Sequence, residues 1–156
     1  MALTIAERFK YNLYLWYFGL TQVRLIHYCR PKIVDITEEK VVLMMSLDRR
    51  TRNHVRSMYI GAMVVGVDMV TGFTAMVRIR ESKRKVIPIF KDLTANFLKR
   101  AEGDVYFICR EGKAITEAVE KTIQPVKGLI FRYKSLPPYQ INLQMNQWQN
   151  SLLLFQ

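Results

Sequence analysis

Between residues 58 and 77 the chain runs for twenty residues with a single charge, Asp68. That length is enough to span a bilayer. Gly61, Gly66, Gly72, Thr71, Thr74 and Asp68 argue against insertion, because each lowers the segment's preference for lipid. Strand-like patterns flank it on both sides. The segment therefore reads as a helix buried on nearly every face, with its glycines, Ala62 and Ala75 letting strands come close. Few small folds enclose a helix in a sheet.

The rest of the chain fits one domain, residues 1–156, with one core. Half of its residues are hydrophobic and 24% are charged, which excludes disordered and collagen-like chains. Acids are scarce. Lys and Arg number 24 against 13 Asp and Glu, a net charge of +11, and such a surface attracts anions. Cys29 and Cys109 are too few for a disulfide framework, so a reducing, cytoplasmic setting is expected.

Residues 6–28 carry aromatic and apolar side chains interspersed with Arg8, Lys10 and Arg24, uninterrupted by Pro, and read as a helix. It would lie across the domain, pair with a second copy, or rest on a membrane surface. Residues 41–47 read as a strand after the turn Thr37-Glu38-Glu39-Lys40. Further strands are expected at 86–98 and 105–109, separated in hairpin fashion by Glu102-Gly103-Asp104, and at 128–133 and 141–146. Residues 115–123 read as a short amphipathic helix ended by Pro125. From Ser135 onward the chain has no charge, and eight of those residues are Asn or Gln.

The stretch Asn53-His54-Val55-Arg56-Ser57-Met58-Tyr59-Ile60-Gly61, followed by Asp68, resembles the motif of hotdog-fold acyl-CoA thioesterases. In the phenylacetyl-CoA branch an Asn precedes His-Gly-Gly by six residues, and a catalytic acid follows the second Gly by seven. Asn53 matches the Asn, Tyr59 the His, Ile60 the first Gly, Gly61 the second and Asp68 the acid. The segment from Lys91 to Val105 is also similar to that family. The nearest likeness is to an uncharacterised domain-of-unknown-function branch with an N-terminal aromatic helix. The resemblance covers residues 5–133. It implies an α+β hotdog fold, an antiparallel sheet wrapped around a long central helix, with an extra N-terminal helix. It also implies a homodimer or a dimer of dimers.

In that family's chemistry, helix N-terminal N–H groups hold the oxyanion of a thioester under attack. The resemblance gives that task to Gly61 and Ile60, and makes Asp68 the general base toward water or, alternatively, a nucleophile. Asn53 would hold the water or the carbonyl, and Tyr59 would stand beside it. Asp68 lies about two helical turns beyond Gly61, so the resemblance also implies a site shared between two copies. Arg56, Lys99 and Arg100 are candidates for the phosphates of coenzyme A, which enters as part of the substrate and not as a cofactor. Arg100 stands where many relatives carry Pro. Tyr59 and Ile60 replace the His-Gly pair, which leaves a non-catalytic acyl-CoA or lipid-binding module as the alternative.

Plainer roles exist for each residue: a buried structural acid at Asp68, packing at Tyr59, a turn at Asn53 and solvated charge at the basic residues. Nucleic acid is not an expected partner, because the basic clusters at 49–57 and 78–85 contain no Phe, Tyr or Trp for stacking. There is no GxSxG, P-loop or GxGxxG. His27-x-Cys29 is a poor metal signature, and no metal is expected.

Overall fold

The computed structural model describes residues 3–83, 87, 88, 90, 93, 95, 97–121 and 143–144. Two helices, α1 (Ile5–Thr21) and α2 (Arg24–Cys29), precede a hairpin of β1 (Lys32–Ile36) and β2 (Val41–Met45). The long helix α3 (Ile60–Ser82) follows, then β3 (Val105–Cys109), α4 (Gly112–Lys121) and the short strand β4 (Leu143–Gln144). The strands form one antiparallel sheet in the order β1-β2-β3-β4.

Register decides which side chains meet α3. Val41, Leu43 and Met45 pair with Cys109, Phe107 and Val105, and all six are buried. Alternate residues of a strand share a face, so these six form one apolar surface. A shift in register between Ile33 and Asp35 lets Ile33 and Ile36, three residues apart, both reach buried positions opposite Leu43 and Val41. Helix α3 packs on this surface through β2 and β3. Each buried aliphatic or aromatic side chain there stabilises the fold by about 1.5–3 kcal/mol. At Gly66 the ring of Phe107 lies against the helix where a Cβ would otherwise stand.

The far end of α3 is tied to the hairpin by Arg78. Its guanidinium is buried, donates to the carbonyls of Thr37 and Glu38 at 2.9 Å each, and pairs with Glu81 at 2.8 Å. Helix α4 packs on α3, burying Ile115 and Val119.

Helix α1 begins with a capping box. The Thr4 hydroxyl accepts from Glu7 N–H, and the Glu7 carboxylate accepts from Thr4 N–H. Those bonds to Thr4, backbone first, hold the Glu7 carboxyl below its ordinary range. Tyr11 and Tyr14 set their rings edge-on to Phe73 of α3. Asn12 reaches the sheet, where its Oδ1 accepts from Ile33 N–H at 2.8 Å and its Nδ2 donates to Ile33 C=O at 3.0 Å. One side chain thus satisfies both backbone groups of a residue on the outer strand.

Several sequence expectations need correction. The helix over 6–28 is two helices: Gln22 and Val23 both donate to the Phe18 carbonyl, and Val23 turns extended. Helix α3 is not buried on nearly every face, since Ile60, Val64 and Asp68 are exposed. The described positions of the 86–98 segment (Ile87, Pro88, Phe90, Leu93, Ala95, Phe97 and Leu98) form no strand and are exposed. Pro88 has no N–H to give to a ladder. Among the described residues Glu102-Gly103-Asp104 therefore join no hairpin, and β3 pairs with β2 and β4. Strand β1 is an element that the sequence pattern does not announce. The strand expected at 128–133 lies outside the described residues, as does the 141–146 strand apart from β4.

Candidate functional site

Residues 48–59 carry the chain from the sheet to the start of α3, and side-chain bonds to backbone shape nearly every turn of it. Thr51 Oγ1 donates to Ser46 C=O at 2.6 Å and accepts from Asp48 N–H at 3.0 Å. Burial acts to raise the Asp48 carboxyl, but hydrogen bonds from Arg50 and its charge outweigh burial and lower it. Asn53 Oδ1 accepts from Val55 N–H and Ser57 N–H, each at 3.0 Å, while Asn53 N–H donates to Ser57 C=O at 2.8 Å. Asn is suited to this, because its short amide can mimic a backbone turn. Arg56 takes a left-handed conformation, φ 63°, to close the loop.

Arg100 fastens this loop from outside. Its Nε donates to Ser57 Oγ at 2.9 Å, one Nη donates to Val55 C=O at 2.8 Å, and Glu102 pairs with it at 3.4 Å. Met58 N–H donates to Ala101 C=O at 2.8 Å, and Tyr59 N–H to Thr51 C=O at 2.7 Å. The loop thus delivers Tyr59 to the N-cap of α3, where no side chain caps the helix. The first N–H groups of a helix have no intrahelical partner, so the positive end of the dipole is presented here. Tyr59 lies over Gly61, whose Cβ, if present, would stand 2.6 Å from Tyr59 Cε1. Both Tyr59 and Ile60 are about half exposed.

Ile60, Val64 and Asp68 then follow at intervals of four residues along α3, forming one exposed stripe. Asp68 is the only acid on α3 before Glu81. Its carboxylate has no hydrogen-bond or ion-pair partner among the described residues. Partial burial raises its carboxyl above the ordinary range. The neighbouring Thr71 hydroxyl donates to the backbone carbonyls of Val67 and Asp68, not to the carboxylate. Ile60 and Val64 thus share their stripe with a partly desolvated carboxylate that has no partner among the described residues.

Of the expected site residues, the structure brings Tyr59, Ile60 and Gly61 together at the helix start and sets Asp68 on the same stripe. Seven residues of helix put Asp68 about 10 Å beyond Gly61, so one chain alone does not bring the two together. Asn53 and Arg100 are occupied in building the loop. Arg56 and Lys99 are exposed. Sequence reasoning missed Ser57 and Val55 as the groups that receive Arg100; they lie 43 and 45 residues from it in the chain.

The sequence matches one family model, Domain of unknown function (DUF4442), over residues 25–129. The chain belongs to the DUF4442 family. No curated protein matches it. Among solved structures, a protein of unknown function from Chlorobaculum tepidum superposes with a TM-score of 0.62 at 11% identity, covering 85% of this chain and 90% of the other. A protein described as a thioesterase from Shewanella oneidensis gives 0.58 at 10% identity, covering 64% and 71%. Zebra fish thioesterase superfamily member 2 gives 0.51 at 16% identity, covering 65% and 72%. At these identities the likeness establishes the fold. The antiparallel sheet with α3 laid on it is a hotdog, and this DUF4442 chain adds α1 as an extra N-terminal helix.

Proposed function

We propose that the chain hydrolyses an acyl thioester on the exposed stripe of α3. The observation that carries this reading is Asp68, a partly desolvated carboxylate on an apolar helix face with no partner among the described residues. In the proposed reaction Asp68 takes a proton from water as its oxygen attacks the thioester carbonyl. The oxyanion forms against the N–H groups at the start of α3, Ile60 and Gly61. Collapse of the tetrahedral intermediate breaks the C–S bond, and the proton passes to the departing thiolate.

Because Gly61 and Asp68 of one chain are about 10 Å apart, the reading uses two copies, with the helix start of one facing the Asp68 of the other. Coenzyme A esters and acyl-carrier thioesters are the substrate class. The exposed cations Arg56 and Lys99 would meet the phosphates, and no cofactor is needed beyond the thiol carrier itself. Both cysteines are free and buried, which suits a reducing compartment.

A second reading rests on Tyr59. Tyr59 and Ile60 stand where the thioesterase motif has His-Gly, the Tyr59 ring covers Gly61, and a covered helix start favours binding an acyl thioester without cleaving it.

One experiment separates the two. Free-thiol release is measured with short, long and aromatic acyl-CoA esters, with Asp68→Asn run alongside and ester binding followed by calorimetry. Release by the parent, lost in Asp68→Asn with binding retained, supports hydrolysis. Binding without release by the folded parent supports the binding module and overturns hydrolysis.

A further inference from the structure

Helix α1 is apolar on two opposite sides. Leu15 and Gly19 are buried on its inner side, and Tyr11 and Phe18 are partly buried there. At about 100° per residue, Ile5, Phe9, Leu13, Trp16, Tyr17 and Leu20 fall within an arc of about 120° on the outer side. All six are exposed, Ile5 to 81% and Phe9 to 69%. A helix apolar all round is normally covered on every side, and contiguous exposed apolar surface marks an interaction site.

The charges around this face select its occupant. Residues 1–34 contain Arg8, Lys10, Arg24, Arg30 and Lys32 against one acid, Glu7. Glu7 is engaged by Thr4 in the capping box and lies on the side of the helix turned away from the apolar arc. Lys10 borders that arc on one edge, next to Tyr17, whereas Arg8 lies about 60° beyond the other edge. Trp and Tyr favour a boundary between water and hydrocarbon, because each ring carries an apolar body and a polar edge. Cations beside such a face are attracted to anionic headgroups.

We propose that the outer face of α1 docks the protein on an anionic lipid bilayer, with the helix parallel to the surface. The 17-residue helix would lie about 25 Å along the headgroups, its rings and leucines at the acyl boundary. A neutral protein surface would match the apolar residues but not the excess of five cations over one acid in residues 1–34. This inference does not depend on the proposed hydrolysis, since none of its residues belongs to that site.

The test is co-sedimentation of the full chain with vesicles of phosphatidylcholine alone and with vesicles in which phosphatidylglycerol replaces a third of it. Trp148→Phe leaves Trp16 as the only indole, so its emission reports where α1 lies. The expected result is binding to the anionic vesicles, weakened by salt, with Trp16 emission shifted to shorter wavelength. Ile5→Ser/Phe9→Ser/Leu13→Ser is expected to weaken binding by about tenfold or more. Phe9→Ser alone gives a smaller loss in the same direction if the triple variant folds poorly.

Absence of binding to anionic vesicles overturns the proposal, as does equal binding by parent and folded variants. A parent that ignores vesicles and sediments as a larger species than its variants shows that the face joins two copies, which also overturns it.

Discussion

The ring of Phe107 rests against the backbone of α3 at Gly66, so a methyl group at position 66 would overlap three of its ring carbons. Sheet and helix thus meet closely here, at the middle of the buried strand β3. Phe107 is fully buried and cannot swing aside into solvent.

Gly66→Ala is therefore expected to cost about 1–3 kcal/mol through overpacking, despite alanine's better helix propensity. Gly72→Ala is its control. A Cβ there would meet the Phe90 ring at 3.4 Å, an ordinary contact, and the substitution should be neutral or stabilise by up to about 1 kcal/mol. Urea unfolding midpoints at constant slope check both.

Asp68→Asn should separate function from stability. Activity should fall by about a hundredfold or more if the carboxylate is the general base. Burial raises the carboxyl, so its charged form is disfavoured in the folded state. The parent then loses stability as pH rises through that raised value, and none is lost where the group is protonated in both states. Asn should consequently be more stable than the parent near neutral pH, and the gain should vanish in acid. The parent's kcat/KM should fall on its acid side at a pH above the ordinary aspartate range. Denaturation at several pH values and a pH–rate profile test the two halves separately.

Asn53 uses only its carbonyl oxygen on the loop, accepting from two backbone N–H groups. Asn53→Asp keeps an acceptor there and should fold like the parent, whereas Asn53→Ala should lose about 1–2 kcal/mol. Thiol release unchanged in Asn53→Asp would show that the residue shapes the loop and does not hold the substrate carbonyl through its amide.

Asn12 needs both ends of its amide, because it donates to Ile33 C=O and accepts from Ile33 N–H. Asn12→Ala should cost about 1–3 kcal/mol. Asn12→Asp should do no better near neutral pH, since a carboxylate cannot donate, and should recover in acid where it can. Thermal unfolding as a function of pH distinguishes them.

These residues also show how far the chain could be read before its structure. Helix α3 and strands β2 and β3 were legible because their patterns are local: a long apolar run, and five residues each of buried, strand-favouring side chains. The spacing of Gly61 and Asp68 was legible for the same reason, since helix geometry alone places them on one side. Strand β1 was not, because Pro31 precedes it, Asp35 interrupts it, and the register shift breaks its alternation. That Ser57 and Val55 fold back to meet Arg100 was not legible either, because they lie 43 and 45 residues from it in the chain. The break in the N-terminal helix at Gln22 and Val23 likewise carries neither Gly nor Pro to announce it.

Arg78 has a consequence for how the molecule opens. Its guanidinium joins the last turns of α3 to the carbonyls of the β1–β2 turn. Separating the two pieces would break two of the three bonds of this guanidinium and leave only Glu81, at about 1.5–3 kcal/mol for each bond lost by a charged donor. The hairpin and the C-terminal half of α3 should therefore behave as one cooperative unit, their amide protons reporting a common opening free energy even though some forty residues of chain lie between them.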